Sequence, residues 1–466
     1  MGARRQKTRY RQTLLAFSAE SRGEAPTTAG EGTEAPAASR EAESPAKATE
    51  HLMEEVCRRD NCVKALRAVR RNRGSAGVDG MSVRELPVHL KGHWPQIRRR
   101  LLEGTYRPQP VKRVEIPKPG GGVRKLGIPT VLDRFIQQAL LQVLTGLWDP
   151  TFSERSYGFR PGRSAHQAVA KAQQYLAAGH RWVVDMDLEK FFDRVNHDRL
   201  MARLARRVED KRMLKLIRAY LQAGVMENGL VSPTTEGTPQ GGPLSPLLSN
   251  VVLDELDREL ERRGHRFVRY ADDCNIYVRS RRAGRRVMEG ISRFVAERLK
   301  LKVNSEKSAV GRPWKRKFLG FSFTAARREP KRRIAPKALA RFKERVRVLT
   351  RRTRGVSLAG TIRELARYLQ GWLGYFRFCQ TPSVLRLLES WIRRRLRCVV
   401  WKQWKRGRRR YAQLRRLGVG RDLAAQTAGS PHGPWRISRS PALSYALPNS
   451  LLESLGLPPL GIGCSA

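Results

Sequence analysis

Two short apolar segments that contain aspartate restrict the folds open to this chain more than any other feature. The segment WVVDMDL (182–188) alternates apolar and polar residues, which is typical of a strand, and it carries Asp187. The segment RFVRYADDCNIYVRS (266–280) has an apolar run on each side of Asp272 and Asp273, which predicts a hairpin with both aspartates at its turn. Alone, each is more often a solvated turn. Side by side in one sheet, they would supply the hard oxygen ligands that Mg²⁺ prefers.

The charge of the chain indicates a polyanionic partner. The chain has 466 residues with 93 Lys and Arg against 42 Asp and Glu, a formal net charge of +51. For such a protein, nucleic acid is the obvious partner. Residues 311–466 contain 36 basic and 6 acidic residues, so more than half of the charge lies in the last third.

Several protein classes are excluded by what the sequence lacks. No apolar run reaches the roughly 18 residues of a membrane span, and the N-terminus has no secretory pattern. We therefore predict a cytoplasmic protein, associated with the nucleoid or a ribonucleoprotein, and no membrane partner. The six cysteines have neither zinc-ligand nor disulfide spacing, which favours reduced thiols.

The pattern along the chain predicts an α+β fold with a helical C-terminal part. Residues 1–50 are almost neutral and poor in large apolar residues, which predicts disorder from about residue 20. Residues 111–129 read as a hairpin around a Pro-Gly-Gly-Gly turn, and the next apolar residues have helical spacing. Beyond residue 330, apolar residues recur every three or four positions.

In this order, the motifs resemble the reverse transcriptases of the group II intron maturase family, from about residue 70 to residue 447. The resemblance is carried by Tyr270-Ala271-Asp272-Asp273, by Asp187 followed five residues later by Phe192, by GTPQGGPLSPLLSNVVLDEL (237–256) and by GWLGYFRF (371–378). It implies a right-hand polymerase, with fingers and palm built on an antiparallel palm sheet and an α-helical thumb. The domains expected are a low-complexity N-terminus (1–50), fingers and palm (51–330), thumb or maturase domain X (331–415) and a basic nucleic-acid-binding segment (416–466).

The same resemblance implies a catalytic group. Asp187, Asp272 and Asp273 match the ligands of two Mg²⁺ ions, with the backbone carbonyl of Leu188 assisting. Lys307 matches a family lysine that could protonate departing pyrophosphate, and simple neutralisation of phosphate is an equal alternative.

Nucleotide-binding residues are implied in three places. Lys118 and Arg124 match triphosphate contacts in the 111–129 hairpin, although spacing alone would favour solvated charges. Phe192 would stack on the sugar of the incoming nucleotide and reject a ribose 2′-hydroxyl, the alternative being a core aromatic residue. Gln240 and Gly241 would lie near the nucleotide and template, the alternative being an ordinary helix start.

Basic residues in two regions are predicted to contact nucleic acid. Arg160 and Arg163 are candidates for template or phosphate contacts, with exposed charge as the alternative. In the 371–378 motif, the aromatic spacing favours a core face over base stacking. In the helical pattern that follows, five residues could neutralise phosphates, with membrane-surface binding as the alternative: Arg393, Arg394, Arg397, Lys402 and Lys405.

The implied function is RNA-directed DNA synthesis by an enzyme that also binds its intron RNA and assists splicing and mobility. The expected partners are intron RNA, an RNA template with a DNA primer, dNTPs and target DNA. After Trp401 the chain offers only His432 and Cys464 as zinc ligands, so we expect no endonuclease, as in class C introns. The alternatives are an RNA-binding splicing factor with a vestigial polymerase, and a CRISPR-associated or diversity-generating reverse transcriptase.

Overall fold

The computed structural model describes residues 49–117, 122–227, 230–232, 236–238, 241–326 and 328–461. The side chain of Arg124 is not described. The predictions for Lys118, Gln240, Cys464 and the N-terminal segment up to residue 48 lie outside these residues.

Helices alternate with short strands in the first part of the chain and dominate the rest. The helices are α1 Leu52–Cys57, α2 Arg59–Asn72, α3 Leu86–Leu102, α4 Val131–Trp148, α5 Ala165–Ala177, α6 His197–Leu204, α7 Lys211–Gln222, α8 Ser245–Arg262, α9 Arg281–Arg298, α10 Pro336–Leu349, α11 Leu358–Phe376, α12 Pro382–Gln403, α13 Gly407–Arg416, α14 Arg421–Gly429, α15 Pro434–Ile437, α16 Pro441–Ala446 and α17 Asn449–Ser454. The strands are β1 Val111–Pro117, β2 Val123–Ile128, β3 Trp182–Met186, β4 Val225–Glu227, β5 Leu230–Ser232, β6 Arg266–Tyr270, β7 Asp273–Val278, β8 Ala309–Gly311, β9 Phe321–Phe323 and β10 Arg332–Ile334.

The chain forms two compact units that meet in sequence between Arg316 and Lys317. The first contains two four-stranded sheets. One has the order β6-β7-β3-β8 and is antiparallel throughout; we call it the palm sheet. The other has the order β2-β1-β4-β5, in which β1 and β4 are parallel. The apolar faces of α4 and α8 lie in the core of this unit.

The second unit contains the β9–β10 hairpin and helices α10 to α17. Its boundary lies before residue 317 and not at residue 330 as predicted, because Phe321 of β9 packs against the rings of Tyr375 and Phe376 on α11. The hairpin therefore shares the apolar core of the helices.

The segment from residue 416 onward is not separate from the helices before it. Leu443 and Ala442 of α16 are fully buried and share one core cluster with Trp401 of α12 and with Trp404, which follows this helix. The predicted boundary between residues 415 and 416 therefore cuts through a packed core. His432 lies in the turn before α15.

The α+β class and the antiparallel palm sheet are confirmed. Both predicted hairpins form, because their turns and alternating patterns are local signals. The five cysteines in the described part of the chain are free. Within the described residues, no helix is long and apolar enough to cross a membrane.

Candidate active site

The register of the palm sheet brings Asp187 towards the predicted hairpin. Strand β3 pairs with β7 so that Met186 faces Cys274. The same register, continued by one residue, places Asp187 opposite Asp273. Asp185 makes an ion pair with Arg316, with 2.6 Å between Oδ2 and Nη2.

The turn between β6 and β7 consists of Ala271 and Asp272, since Tyr270 pairs with Asp273. Ala271 has φ of +57°, a left-handed conformation that costs a residue with a Cβ about 1 kcal/mol. Gly158 packs directly on this turn, and a Cβ at residue 158 would overlap the amide nitrogen of Ala271. The surrounding structure therefore holds the turn in a conformation that its own residues do not favour.

Arg269, which the sequence analysis did not single out, holds this turn in place from inside the protein. Its side chain and that of Asp257 are both 0% exposed and form an ion pair. One guanidinium nitrogen also donates to the carbonyl oxygen of Ala271 at 3.0 Å and to Oδ1 of Asn250 at 2.9 Å, and the other donates to Oγ of Ser156 at 2.8 Å. Burial disfavours the charged guanidinium, but the Asp257 carboxylate outweighs it and raises the pKa of Arg269. The signal available in the sequence was an arginine inside an apolar strand.

Lys307 reaches Asp187 from a neighbouring segment. Its Nζ lies 3.3 Å from Oδ2 of Asp187, and the lysine side chain is 67% exposed whereas the aspartate is 27% exposed. Oδ1 of Asn304 accepts from the backbone N–H of Lys307, and the N–H of Asn304 donates to the carbonyl oxygen of Asp187 at 2.8 Å. Ser308 Oγ accepts from the N–H of Asp187 at 3.0 Å. These hydrogen bonds hold the segment from Asn304 to Ser308 against Asp187, and the side chain of Lys307 starts from this segment.

The donor set at this end of the palm sheet suits a hard cation. Asp187, Asp272 and Asp273 offer carboxylate oxygens, and Asp187 and Asp272 are half-buried whereas Asp273 is exposed. Within the described residues, however, no group of three or more His, Cys, Asp and Glu side chains is arranged to hold a metal ion. The ammonium of Lys307 now supplies the positive charge beside Asp187. The donors fit Mg²⁺ by type.

Phe192 lies beside Gly237 and Thr238, at the start of the motif 237–256. The ring of Phe191 is buried and meets the half-buried ring of Phe192 edge-on, with 5.2 Å between centroids. The N–H of Thr238 donates to the carbonyl oxygen of Phe192 at 2.6 Å, and Nε2 of buried His197 donates to the carbonyl oxygen of Gly237 at 2.6 Å. Phe191 thus provides the core anchor, and Phe192 packs against the same core while it stays partly exposed.

Gly241, in the same motif, packs against the end of β2. A Cβ at residue 241 would overlap the carbonyl oxygen of Gly127, and the φ of +139° also favours glycine. Arg124 lies on the same strand, opposite Ile116 of β1. Of the five predicted nucleotide-binding positions, Phe192 thus contacts Thr238, and Gly241 lies against the strand that carries Arg124.

Arg160 is engaged inside the protein, which argues against the predicted contact with nucleic acid. Its side chain is 5% exposed and makes an ion pair with Asp149 at 2.7 Å. It also donates to the carbonyl oxygens of Asp149, Ser153 and Ser156. These bonds use four of its five N–H groups within the protein. Arg163 is half-buried over the ring of Tyr157 and stays a candidate.

Three arginines of α12 that were predicted to contact nucleic acid are likewise engaged within the protein, because they attach the C-terminal helices to α12. Arg393 makes ion pairs at 2.8 Å with both Glu389 and Glu453. Arg394 donates to the carbonyl oxygen of Trp435 and lies 3.6 Å from the centroid of its ring. Arg397 donates to the carbonyl oxygen of Leu447.

Lys402 and Lys405 differ from these arginines, because both are exposed. They stay candidates for phosphate contacts. The predicted core face of the 371–378 motif is confirmed: Trp372 is buried and packs on Phe342 with 4.2 Å between ring centroids.

Comparison with known proteins agrees with this geometry. Residues 116–323 match the family described as reverse transcriptase (RNA-dependent DNA polymerase). Residues 339–418 match the group II intron, maturase-specific domain. The first match includes both strands that carry the aspartates, so the class defined by fold and site is a reverse transcriptase. With the second match following it, the chain carries a reverse transcriptase domain and then a group II intron maturase-specific domain.

Individual relatives cover only parts of the chain. It is 41% identical over 191 residues to protein YkfC of Escherichia coli (strain K12), which covers 40% of this chain and 50% of YkfC. It is 43% identical over 159 residues to the group II intron-encoded protein LtrA of Lactococcus lactis subsp. cremoris, which covers 34% of this chain and 26% of LtrA. The chain thus spans half or less of the length of these two relatives. Among solved structures, a partial Cas6-RT-Cas1--Cas2 complex is similar over 53% of this chain and 42% of that chain, with 25% identity and a TM-score of 0.35.

Proposed function

We propose that this chain is the RNA-directed DNA polymerase of a group II intron, and that it also binds the intron RNA and assists splicing and mobility. The observation that carries the proposal is the palm-sheet register, which brings Asp187 to the hairpin turn of Asp272 and Asp273. The domain order, reverse transcriptase and then maturase-specific domain, supports the second activity.

In the proposed reaction, the 3′-hydroxyl oxygen of a DNA primer attacks the α-phosphorus of a dNTP paired with an RNA template. A phosphodiester bond forms and the bond to pyrophosphate breaks. Asp187, Asp272 and Asp273, with the Leu188 carbonyl, would hold two Mg²⁺ ions, which supply the Lewis acidity for this displacement.

The protein side chains around the aspartates would position the nucleotide. Lys307 is long, exposed and close to Asp187, so it can turn towards the phosphates, where it would neutralise charge or give a proton to the leaving group. The exposed face of Phe192 would lie against the sugar. Lys118, Arg124, Gln240 and Gly241 are proposed to surround the triphosphate and template base.

Primer extension on an RNA template with dNTPs and Mg²⁺ tests the proposal. Asp272→Asn removes a ligand charge with little change in shape, and we expect extension to fall by at least about a hundredfold. The matched control is Asp198→Asn, an exposed aspartate of α6, which should extend like the parent. Equal extension by the parent and Asp272→Asn would overturn the site assignment. No extension by the parent, with tight binding of intron RNA, would indicate a splicing factor with a vestigial polymerase.

A further inference from the structure

A basic cavity lies at the end of the palm sheet remote from the Asp272 turn. It has a volume of about 550 Å³ and forms where the connection from α5 to β3, the connection from α8 to β6, the end of β7 and the start of α9 meet. The arginines and histidines that line it are His180, Arg263, His265, Arg266, Arg279 and Arg286. Nothing in the proposed reaction uses this cavity.

Its charge is strongly one-sided. Arg263 is neutralised by Glu259, at 2.6 Å. Arg266, Arg279 and Arg286 are exposed, and in the described part of the chain no carboxylate pairs with them or lines the cavity. Like charges on one concave surface repel each other, and an anion between them would relieve that repulsion.

The two histidines are partly buried beside these charges. Burial lowers the pKa of His180 most, a hydrogen bond with the backbone of Tyr175 acts in the opposite direction, and the charges of Arg279 and Arg266 lower the pKa further. Burial and Arg263 lower the pKa of His265. Both imidazoles therefore favour the neutral form, and the arginines are the groups that can bind an anion.

We propose that this cavity binds the sugar–phosphate backbone of RNA, with Arg266, Arg279 and Arg286 on a phosphodiester. Guanidinium groups bind phosphate oxygens in pairs. The proposal rests on the proposed RNA-binding function and adds a site to it.

The bound segment lies away from the reaction centre. The six residues of β7 separate the cavity from the Asp272 turn, roughly 20 Å at the rise of an extended strand. A phosphate in the cavity therefore belongs to a part of the RNA other than the nucleotide pair being extended. This makes the cavity a docking site for folded RNA.

The test compares binding of a labelled RNA hairpin over a range of salt concentrations, with a DNA hairpin of the same sequence as a second probe. The cavity variant is Arg266→Gln/Arg279→Gln/Arg286→Gln. We expect its slope of log affinity against log salt to fall by about 2, and its affinity for RNA by about tenfold or more at 0.1 M salt. The DNA hairpin should show a similar change of slope, because the arginines contact phosphates, which RNA and DNA share.

The matched control is Arg281→Gln/Arg282→Gln/Arg285→Gln, which removes the same charge from exposed positions of α9 that do not line the cavity. It should keep affinity within about threefold of the parent, because these arginines neighbour the cavity without lining it and so do not contact the bound phosphate. Equal losses in both triple variants would show a diffuse charge effect and overturn the proposal. The proposal would also be overturned if the cavity variant binds RNA as the parent does but no longer binds poly-glutamate. That result would indicate an acidic protein partner.

Primer extension on a short template and primer separates this proposal from the proposed polymerase. The cavity variant should extend like the parent while binding the hairpin more weakly. If the parent protein binds the hairpin through the cavity but does not extend a primer, only the proposed polymerase activity is refuted. If the parent protein binds no RNA, the proposed polymerase activity and the proposed RNA site are both refuted.

Discussion

At the scale of single residues, the buried side chain of Arg269 holds the candidate catalytic turn in place. It joins the buried charge of Asp257 to the carbonyl oxygen of Ala271 through one guanidinium group. Because the turn holds Ala271 in a left-handed conformation, this bond also compensates for local strain. The position of Asp272 therefore depends on a side chain that never meets substrate.

Removing Arg269 alone should destabilise the protein. Replacing both Arg269 and Asp257 should restore stability without restoring activity. Arg269→Met leaves Asp257 buried and unpaired, which costs about 3–5 kcal/mol. Arg269→Met/Asp257→Leu should recover most of that loss, because a buried ion pair is replaced by apolar contacts. Extension by the double variant should stay at least about tenfold below the parent, since the Ala271 carbonyl has lost its donor. Denaturant unfolding and single-turnover extension measure the two effects, and parental extension by the double variant would mean that the pair serves stability only.

Phe192 should determine the choice between dNTPs and rNTPs. Phe192→Ala removes the ring proposed to meet the sugar, and we expect incorporation of rNTPs relative to dNTPs to rise about 10–100-fold. Phe191→Ala is the control: its ring is buried, so it should cost about 3–5 kcal/mol of stability without a specific gain in rNTP use. A Phe192→Ala enzyme that rejects rNTPs as well as the parent does would contradict the role.

At the scale of elements, close backbone approach determines how the turns around the site meet. Gly158 lies on the β6–β7 turn and Gly241 on the end of β2, and neither position has room for a Cβ. In the second unit, α16 supplies buried residues to the core around Trp401. Elements distant in sequence thus complete one another.

The integration of the C-terminal helices can be measured with two neighbouring residues of α16. Leu443 is fully buried, so Leu443→Ala should lower the free energy of unfolding by about 2–5 kcal/mol. Tyr445 is 64% exposed, and Tyr445→Ala should change it by less than about 1 kcal/mol. Thermal unfolding followed by tryptophan fluorescence compares them. Equal stability of the two variants would restore the picture of an independent C-terminal segment.

At the scale of the whole molecule, the charge of +51 is not all available to nucleic acid. Arg160, Arg393, Arg394 and Arg397 are engaged inside the protein. Exposed residues such as Lys402 and Lys405 are the ones that can release counterions when a phosphate binds.

Salt dependence should distinguish these two groups of basic residues. Lys402→Gln/Lys405→Gln should lower the slope of log affinity for RNA against log salt by about 1.5, with unchanged thermal stability. Arg393→Gln should leave the slope unchanged and reduce stability, since Glu389 and Glu453 lose their partner. Titration of RNA binding at several salt concentrations, beside thermal unfolding, measures both. The reverse pattern would return Arg393 to the binding surface.

Much of the fold could be predicted because its signals are local. Alternation over 182–186, the Ala271–Asp272 turn between two apolar runs and the helical spacing of 131–148 depend on residues within a few positions of one another. The unit boundary was misplaced because β9 looks like a continuation of the palm until its contacts with α11 are known.

By itself, the sequence determined the chemistry of the protein: oxygen ligands in two strands, a basic surface, and motifs in the order of one polymerase family. Only the tertiary structure decided which charges are free to act. The partners of Arg160, Arg269 and Arg393 lie between 4 and 60 residues away in the chain. In the net charge of the chain, such arginines are not distinguished from those on the surface. Folding pairs them with carboxylates, because a buried guanidinium without a partner would cost several kcal/mol.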